Sequence, residues 1–483
     1  MFKPLPAAIA LALALATSAA RADSASDIAA LRSEMEALRA AYEARLQALE
    51  QRLKSAEAQI AAPTTAPTTA STAANAAAVA TAPSASAASS PPPPAPLTAT
   101  AAAAPAVPSN TGSFNPSMSL ILSGLYAHTS HDPKRYAITG FPLPGDAEIG
   151  PGTRGFSLSE TELGFAASID PWLRGAVSIS LAPDNSVSVE EAYVQTTSLG
   201  NGLSLKAGRF FSNVGYLNPQ HAHTWDFVDN PLAYQAMLGT QYGDDGLQAT
   251  WLAPIDQYLE LGLEVGRGRS FPGGDDSRNG AGMVAVTAHT GGDIGDSSSW
   301  RAGVSLLGAK AKGQGLVAPD VSGIPVNSVF DGRTKVWVVD AIWKWAPNGN
   351  ATRTNFKLQG EYLRSTRDGT LAYDVDNAGP VGDYRVVQSG WYVQGIYQFM
   401  PRWRVGLRTE QVDPGSPEFG AGAALLASDY RPRKNSLMLD FSPSEFSRVR
   451  LQLAQDKARQ GGADTQFLVQ YQMSLGAHGA HGY

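Results

Sequence analysis

Residues 113–483 alternate with a period of two, and this pattern limits the fold more than any other feature of the chain. Leu163, Phe165, Ala167 and Ile169 interleave with Glu162, Gly164, Ala166 and Ser168. Leu259, Leu261, Leu263 and Val265 interleave with Glu260, Gly262 and Glu264, and Phe356, Leu358, Gly360 and Tyr362 with Lys357, Gln359 and Glu361. Trp403, Val405 and Leu407 alternate with Arg404, Gly406 and Arg408. Phe467, Val469, Tyr471, Met473 and Leu475 alternate with Leu468, Gln470, Gln472 and Ser474. Successive residues of a strand point to opposite faces, so each segment is a strand with one apolar face and one polar or small face.

A soluble β-sandwich or β-helix would also alternate, and the connections favour a different architecture. Short breaks at Asp170-Pro171-Trp172, Gly200-Asn201-Gly202, Met400-Pro401-Arg402 and Ser442-Pro443-Ser444-Glu445 alternate with long polar segments at 128–155, 212–243 and 410–433. Tight turns at one rim and longer loops at the other belong to a transmembrane β-barrel. The spacing predicts an all-β transmembrane barrel of about 16 antiparallel strands, from near Met118 to near Leu475, with roughly 9 to 11 residues per crossing. Trp172, Tyr258, Trp343, Trp345, Phe399, Trp403, Phe441 and Phe446 lie near the short turns, where an interfacial girdle would sit. An even strand number puts both ends of the barrel on the turn side.

The residues before the barrel read as three segments. Lys3, the apolar run Ala7 to Ala16 and the small-x-small site Ala20-Arg21-Ala22 predict a signal peptide over 1–22. From Ile28 to Ile60 the apolar positions Ile28, Leu31, Met35, Leu38, Tyr42, Leu46, Leu49, Leu53, Ala56 and Ile60 are spaced by three or four. This heptad-like seam predicts an α-helical coiled coil within 23–60, and hence a homo-oligomer, without fixing two strands against three. A single amphipathic helix docked on a core would show similar spacing, but no core-forming partner lies nearby in sequence. Residues 61–112 hold ten prolines among Ala, Thr and Ser and no charge, which predicts a disordered linker. The barrel follows at 113–483. The expected location is the outer membrane of a Gram-negative bacterium, with the N-terminal segment in the periplasm.

Composition removes several function classes. The absence of cysteine excludes a disulfide framework, a thiolate metal site and a cysteine nucleophile. A formal charge of −6 gives no basis for nucleic-acid binding. The chain contains no Gly-x-Ser-x-Gly elbow, His-Glu-x-x-His or Walker loop, so no enzyme activity is expected.

The segments Glu190-Glu191-Ala192-Tyr193-Val194-Gln195 and Leu205-Lys206-Ala207-Gly208-Arg209-Phe210-Phe211 resemble a strand-turn-strand pattern of phosphate-selective porins. A coiled coil ahead of a barrel resembles the trimeric dicarboxylate-type porins, and that resemblance implies a trimer. The stretch from Gly215 to Asp229 and the closing Gly-Ala-His repeat also resemble a group labelled zinc-regulated TonB-dependent outer-membrane receptors. The porin resemblance implies a channel for passive diffusion of small polar solutes or ions, embedded in outer-membrane lipid. The receptor resemblance implies metal-linked uptake, with a plug domain and roughly 22 strands. A third reading is an envelope tether built on the rod.

In 16-stranded porins the third loop folds into the lumen, so resemblance places residues 212–243 at a constriction. That loop carries His221, His223, Asp226 and Asp229, with Asp244 and Asp245 on the next strand. Arg404 and Arg408 share inward parity, as do Arg448 and Arg450 two strands later. The expectation is a lumen with acid on the loop and arginine on the opposite wall, a transverse field that orients polar solutes. Six of the seven histidines come in close pairs: His128 with His131, His221 with His223, and His478 with His481. Of these, His221 and His223 are spaced to share a face in an extended chain and could chelate together. No cofactor is expected, zinc at His221 and His223 being the one candidate.

Overall fold

The computed structural model describes residues 116–159, 161–274, 279–320 and 323–476, together with Gln47, Gln51 and Lys54. The chain divides into two units, Met1–Pro92 and Pro93–Tyr483. In the first, Gln47, Gln51 and Lys54 are helical and exposed. The signal peptide, the linker, the apolar seam of the coiled coil, and His478, His481 and Tyr483 lie outside the described residues.

Among the described residues, the second unit holds seventeen strands in one sheet. They are β1 (Ser117–Thr129), β2 (Gly155–Leu158), β3 (Thr161–Ser168), β4 (Leu173–Leu181), β5 (Val187–Thr196), β6 (Leu203–Phe211), β7 (Gly243–Leu252), β8 (Tyr258–Gly266) and β9 (Met283–Ile294). The rest are β10 (Ser298–Pro319), β11 (Pro325–Trp345), β12 (Asn355–Ala372), β13 (Val381–Met400), β14 (Trp403–Asp413), β15 (Arg433–Ser444), β16 (Ser447–Lys457) and β17 (Asp464–Gly476). β2 and β3 both pair with β1, from Ala127↔Gly155 to Gly124↔Leu158 and from Ile121↔Glu162 to Ser117↔Ala166. They are two pieces of one wall position, so the seventeen segments build a barrel of sixteen strands, all antiparallel. Closure is between the first and last strands, in register from Ser119↔Gly476 to Thr129↔Gln466. Closing the sheet pairs its first strand with its last, so the barrel wall has no open sheet edge.

Alternation sets which way each strand faces. On β14, Leu407 is 60% exposed on the outer surface while the next residue, Arg408, is 1% exposed inside. Leu261, Leu263, Val286, Trp337, Val339, Leu437, Leu453 and Tyr471 also face outward, whereas Glu264, Asp340, Glu361, Glu410, Lys434, Asp440, Arg450 and Gln452 are buried in the interior. The usual ordering of a water-soluble protein is thus inverted. At the short-turn rim Trp403 stacks on Phe441 with ring centroids 4.5 Å apart, and Trp343 meets Phe356 at 5.9 Å.

Two expectations need correction. Strand length is not uniform: β10, β11, β12 and β13 run for 22, 21, 18 and 20 residues. Antiparallel pairing does not stop where an apolar belt ends, so these hairpins continue past it. Their far ends wrap an apolar cluster of Leu316, Phe330, Leu371, Tyr384 and Phe419. The second correction concerns the loops. The rim opposite the short turns carries long connections at 130–154, 212–242 and 414–432, but also short ones at 182–186, 320–324 and 458–463. The strict short–long alternation fails there; at 320–324, for example, the β10–β11 hairpin itself supplies the projection.

Candidate pore constriction

Residues 212–242 form the third connection on the loop rim and fold into the barrel. The segment contains a 3₁₀ turn, Ala222–Thr224, and one α-helix, α1 (Leu232–Leu238). Leu-Ala-Tyr-Gln-Ala-Met-Leu is rich in helix formers, Pro231 precedes it, and Gly239 ends it in the left-handed conformation at φ 63°. All seven helix residues are buried. Leu232, Ala233, Tyr234 and Met237 pack with Val336, Val338, Leu363, Tyr392 and Val412 of the wall.

Two wall carboxylates hold the backbone of this loop. Glu361 accepts hydrogen bonds from the Tyr216 and Leu217 amides, each at 3.0 Å, from Tyr234 Oη at 2.7 Å and from Tyr392 Oη at 2.5 Å. Glu410 accepts from the Leu232 amide at 2.5 Å and so satisfies an open donor at the start of α1. Gly215 sits at φ 69°, and a Cβ there would collide with Glu361 Oε2 and Tyr234 Oη. At the neck, the Asn218 side chain donates to the Ser212 and Tyr242 carbonyls and accepts from the Tyr242 amide.

Electrostatically the loop has two sides. One faces a basic wall. Asp226 meets Lys357 Nζ at 2.5 Å and Arg404 Nη1 at 3.3 Å. Asp229 meets Arg408 at 2.8 Å and Lys434 at 2.5 Å, and accepts from Gln452 at 2.7 Å. Arg448 and Arg450 donate to the His223 and Trp225 carbonyls, each at 2.7 Å. Burial pushes the Asp226 and Asp229 carboxyls up. Lys357 with Arg404 around Asp226, and Lys434 with Arg408 around Asp229, outweigh it and hold both well below the usual carboxylate range. The other side faces acid. His221 Nδ1 lies 3.3 Å from Glu162 Oε2 and 3.2 Å from Glu190 Oε2, and its Nε2 lies 3.0 Å from Glu191 Oε2. His223 Nδ1 lies 3.0 Å from Glu162 Oε2. Burial disfavours the charged imidazole, but Glu162 foremost among these carboxylates raises the His221 pKa well above the ordinary histidine value.

Eight of the ten residues singled out from sequence therefore meet around one loop: His221, His223, Asp226, Asp229, Arg404, Arg408, Arg448 and Arg450. Asp244 and Asp245 do not join them. Neighbouring residues of a regular strand face opposite ways, and β7 pairs here without a register shift, so only one of the two points inward. Asp244 does, but it binds Tyr242 Oη and the Gly268 and Arg269 amides, tying down the next loop. Asp245 shares the outward parity of Leu247 and pairs with Arg209 at 2.7 Å. The expected transverse field also needs revision. The loop acids touch the wall arginines directly and neutralise them locally, while the further acid, Glu162, Glu190 and Glu191, lies on the wall of β3 and β5. Sequence reading missed Glu361, Glu410, Lys357 and Lys434 as loop anchors. Inward parity was their only signal, and dozens of lumen positions share it. It also passed over the unpaired seventh histidine, His289, buried 3.7 Å from Glu260 and 3.9 Å from Asp340.

Comparison with solved structures finds other barrels. A loop-deletion mutant of OmpT, an outer membrane protein of Vibrio cholerae, gives a TM-score of 0.46 at 10% identity, covering 75% of this chain and 99% of that one. The outer membrane channel DcaP of Acinetobacter baumannii gives 0.44 at 11% identity over 75% and 97%, and an anion-selective porin from Comamonas acidovorans 0.44 at 12% over 75% and 99%. No family model matches the chain. Among curated sequences, an uncharacterized protein of Aquifex aeolicus (strain VF5) is 30% identical over 399 residues, which cover 77% of this chain and 81% of that protein. With so much of both chains aligned at that identity, the chain belongs to the same family as this Aquifex aeolicus protein.

Proposed function

We propose that the protein is an outer-membrane channel through which small polar or charged solutes diffuse passively, past a constriction formed by residues 212–242. The observation that carries this reading is the inverted barrel: apolar side chains cover its outside while arginine, lysine, aspartate and glutamate fill its interior. Only a closed barrel satisfies every strand's backbone in lipid, and a polar interior gives ions a path. Selectivity then comes from the radius left by the loop and from its two unlike walls, with no covalent step. Sixteen wall strands argue against the receptor alternative, whose architecture needs roughly 22. The proposed assembly is a trimer, with the N-terminal rod on the periplasmic side.

Two experiments test this. Purified protein in a planar bilayer should give stepwise ohmic currents, in threes for a trimer. Silence from correctly folded protein would count against an open channel. For the membrane face, Leu407→Arg should cost roughly 2–4 kcal/mol of folding stability in lipid vesicles if the site lies near mid-bilayer. An unchanged urea midpoint would mean that this surface does not meet lipid.

A further inference from the structure

Where the acidic side of residues 212–242 meets β3 and β5, the donor atoms form more than a set of ion pairs. One atom each from Glu162, His221 and His223 lies within 4.8 Å of the others, and all three residues are buried. Glu162 Oε2 stands 3.3 Å from His221 Nδ1 and 3.0 Å from His223 Nδ1. Four donors around a tetrahedral ion with bonds of about 2.0–2.1 Å would lie roughly 3.3–3.4 Å apart. The two Glu162–imidazole separations therefore match those of atoms sharing one ion.

Three further observations point the same way. Glu162 Oε2 is buried, and the Nδ1 atoms of His221 and His223 both converge on it. Two imidazole nitrogens converging on one carboxylate oxygen is an arrangement that a shared cation would also produce. Next, the far nitrogen of His221, Nε2, is 3.0 Å from Glu191 Oε2. A metal-bound imidazole usually gives its other N–H to a carboxylate, which fixes its tautomer and orientation. Finally, Glu190 Oε2 lies 3.2 Å from His221 Nδ1 and adds negative charge beside the three-residue cluster. The Glu190 and Glu191 side chains keep 20% and 15% exposure, which gives an ion a way in.

We propose that Glu162, His221 and His223 form a binding site for a divalent transition metal of the zinc class, with Glu191 orienting His221, and that the ion fastens the inward loop to β3 and β5. Imidazole with carboxylate and without thiolate suits zinc, nickel or copper better than calcium or magnesium. The site depends on the loop's seat inside the barrel and not on the channel being open, so a failed conductance test leaves it standing, and its own failure leaves the channel standing.

The test uses the full chain in a His478→Ala/His481→Ala background, which removes the terminal histidine pair. Protein stripped with a chelator is reloaded with zinc chloride or cobalt chloride, desalted and assayed for bound metal. One ion per folded chain is expected, with the visible absorption of low-coordinate cobalt. Glu162→Gln and His223→Ala should each weaken binding at least about tenfold. Heat-modifiable gel mobility reports whether each variant has folded. X-ray absorption of the zinc-loaded background protein needs no further variant and should show imidazole together with oxygen. Absence of retained metal, retention in both folded variants, or a coordination shell lacking imidazole would each overturn the proposal.

Discussion

Glu361→Ala is expected to release residues 212–242 from the wall and give a larger, noisier open-channel conductance. Glu361 is the shared acceptor for two backbone amides and two tyrosine hydroxyls, all within 3.0 Å. Its side chain is buried, so these four donors are satisfied by one carboxylate rather than by bulk solvent. Each orphaned buried donor costs roughly 1–3 kcal/mol, so the seated loop loses ~4 kcal/mol or more relative to one that has swung out and is hydrated. That is enough to reverse a local equilibrium while the barrel's strand pairing persists. Glu361→Gln keeps an acceptor oxygen but turns an amide toward the donors, so an intermediate effect is expected. Limited proteolysis from the loop rim gives a second readout, with cleavage within 212–242 appearing in Glu361→Ala. Wild-type conductance together with wild-type protease resistance would show that Glu361 does not hold the loop.

Asp229→Ala acts from the other side of the same loop. Arg408 and Lys434, both 1% exposed, converge on Asp229 from β14 and β15. Removing one partner of a buried ion pair costs about 3–5 kcal/mol, because the remaining charge stays buried. Here Glu410 still contacts Arg408 at 3.1 Å and Asp456 still contacts Lys434 at 3.3 Å, so the lower end of that range is expected. The pH dependence has a definite sign. The folded pKa of Asp229 lies below the ordinary value of about 3.9. Its contribution is therefore complete above the ordinary carboxylate range and is lost as pH falls through the lowered folded value. The stability gap between wild type and Asp229→Ala should shrink as pH falls through that window. A gap that stays constant into strong acid would mean the carboxylate is not what the two cations hold.

Much of the barrel was legible because its code is local. The outward and inward sets read from Leu259 to Val265 and from Trp403 to Arg408 are the ones observed, since side-chain direction along a strand depends only on counting by two. The same rule could have removed Asp245 from the candidate site, because it stands next to inward-facing Asp244. The lengths of β10 to β13 were harder to read: their alternation persists past the apolar belt, and nothing local marks where lipid would end.

The sequence by itself determined the class of fold, the inward parity of Arg404, Arg408, Arg448 and Arg450, and the loop that carries the two histidines and two aspartates. Only the tertiary structure decided which groups meet. Asp229 and Lys434 are 205 residues apart, Tyr216 and Glu361 are 145 apart, and His221 reaches back 30 residues to Glu191. Alternation says which face a side chain takes, but not its height along the barrel or its neighbour across it. Those follow from strand register and closure, which are set by pairing between distant segments. The loop's acid thus met the basic wall and its histidines met the acidic one because the barrel closed in this register.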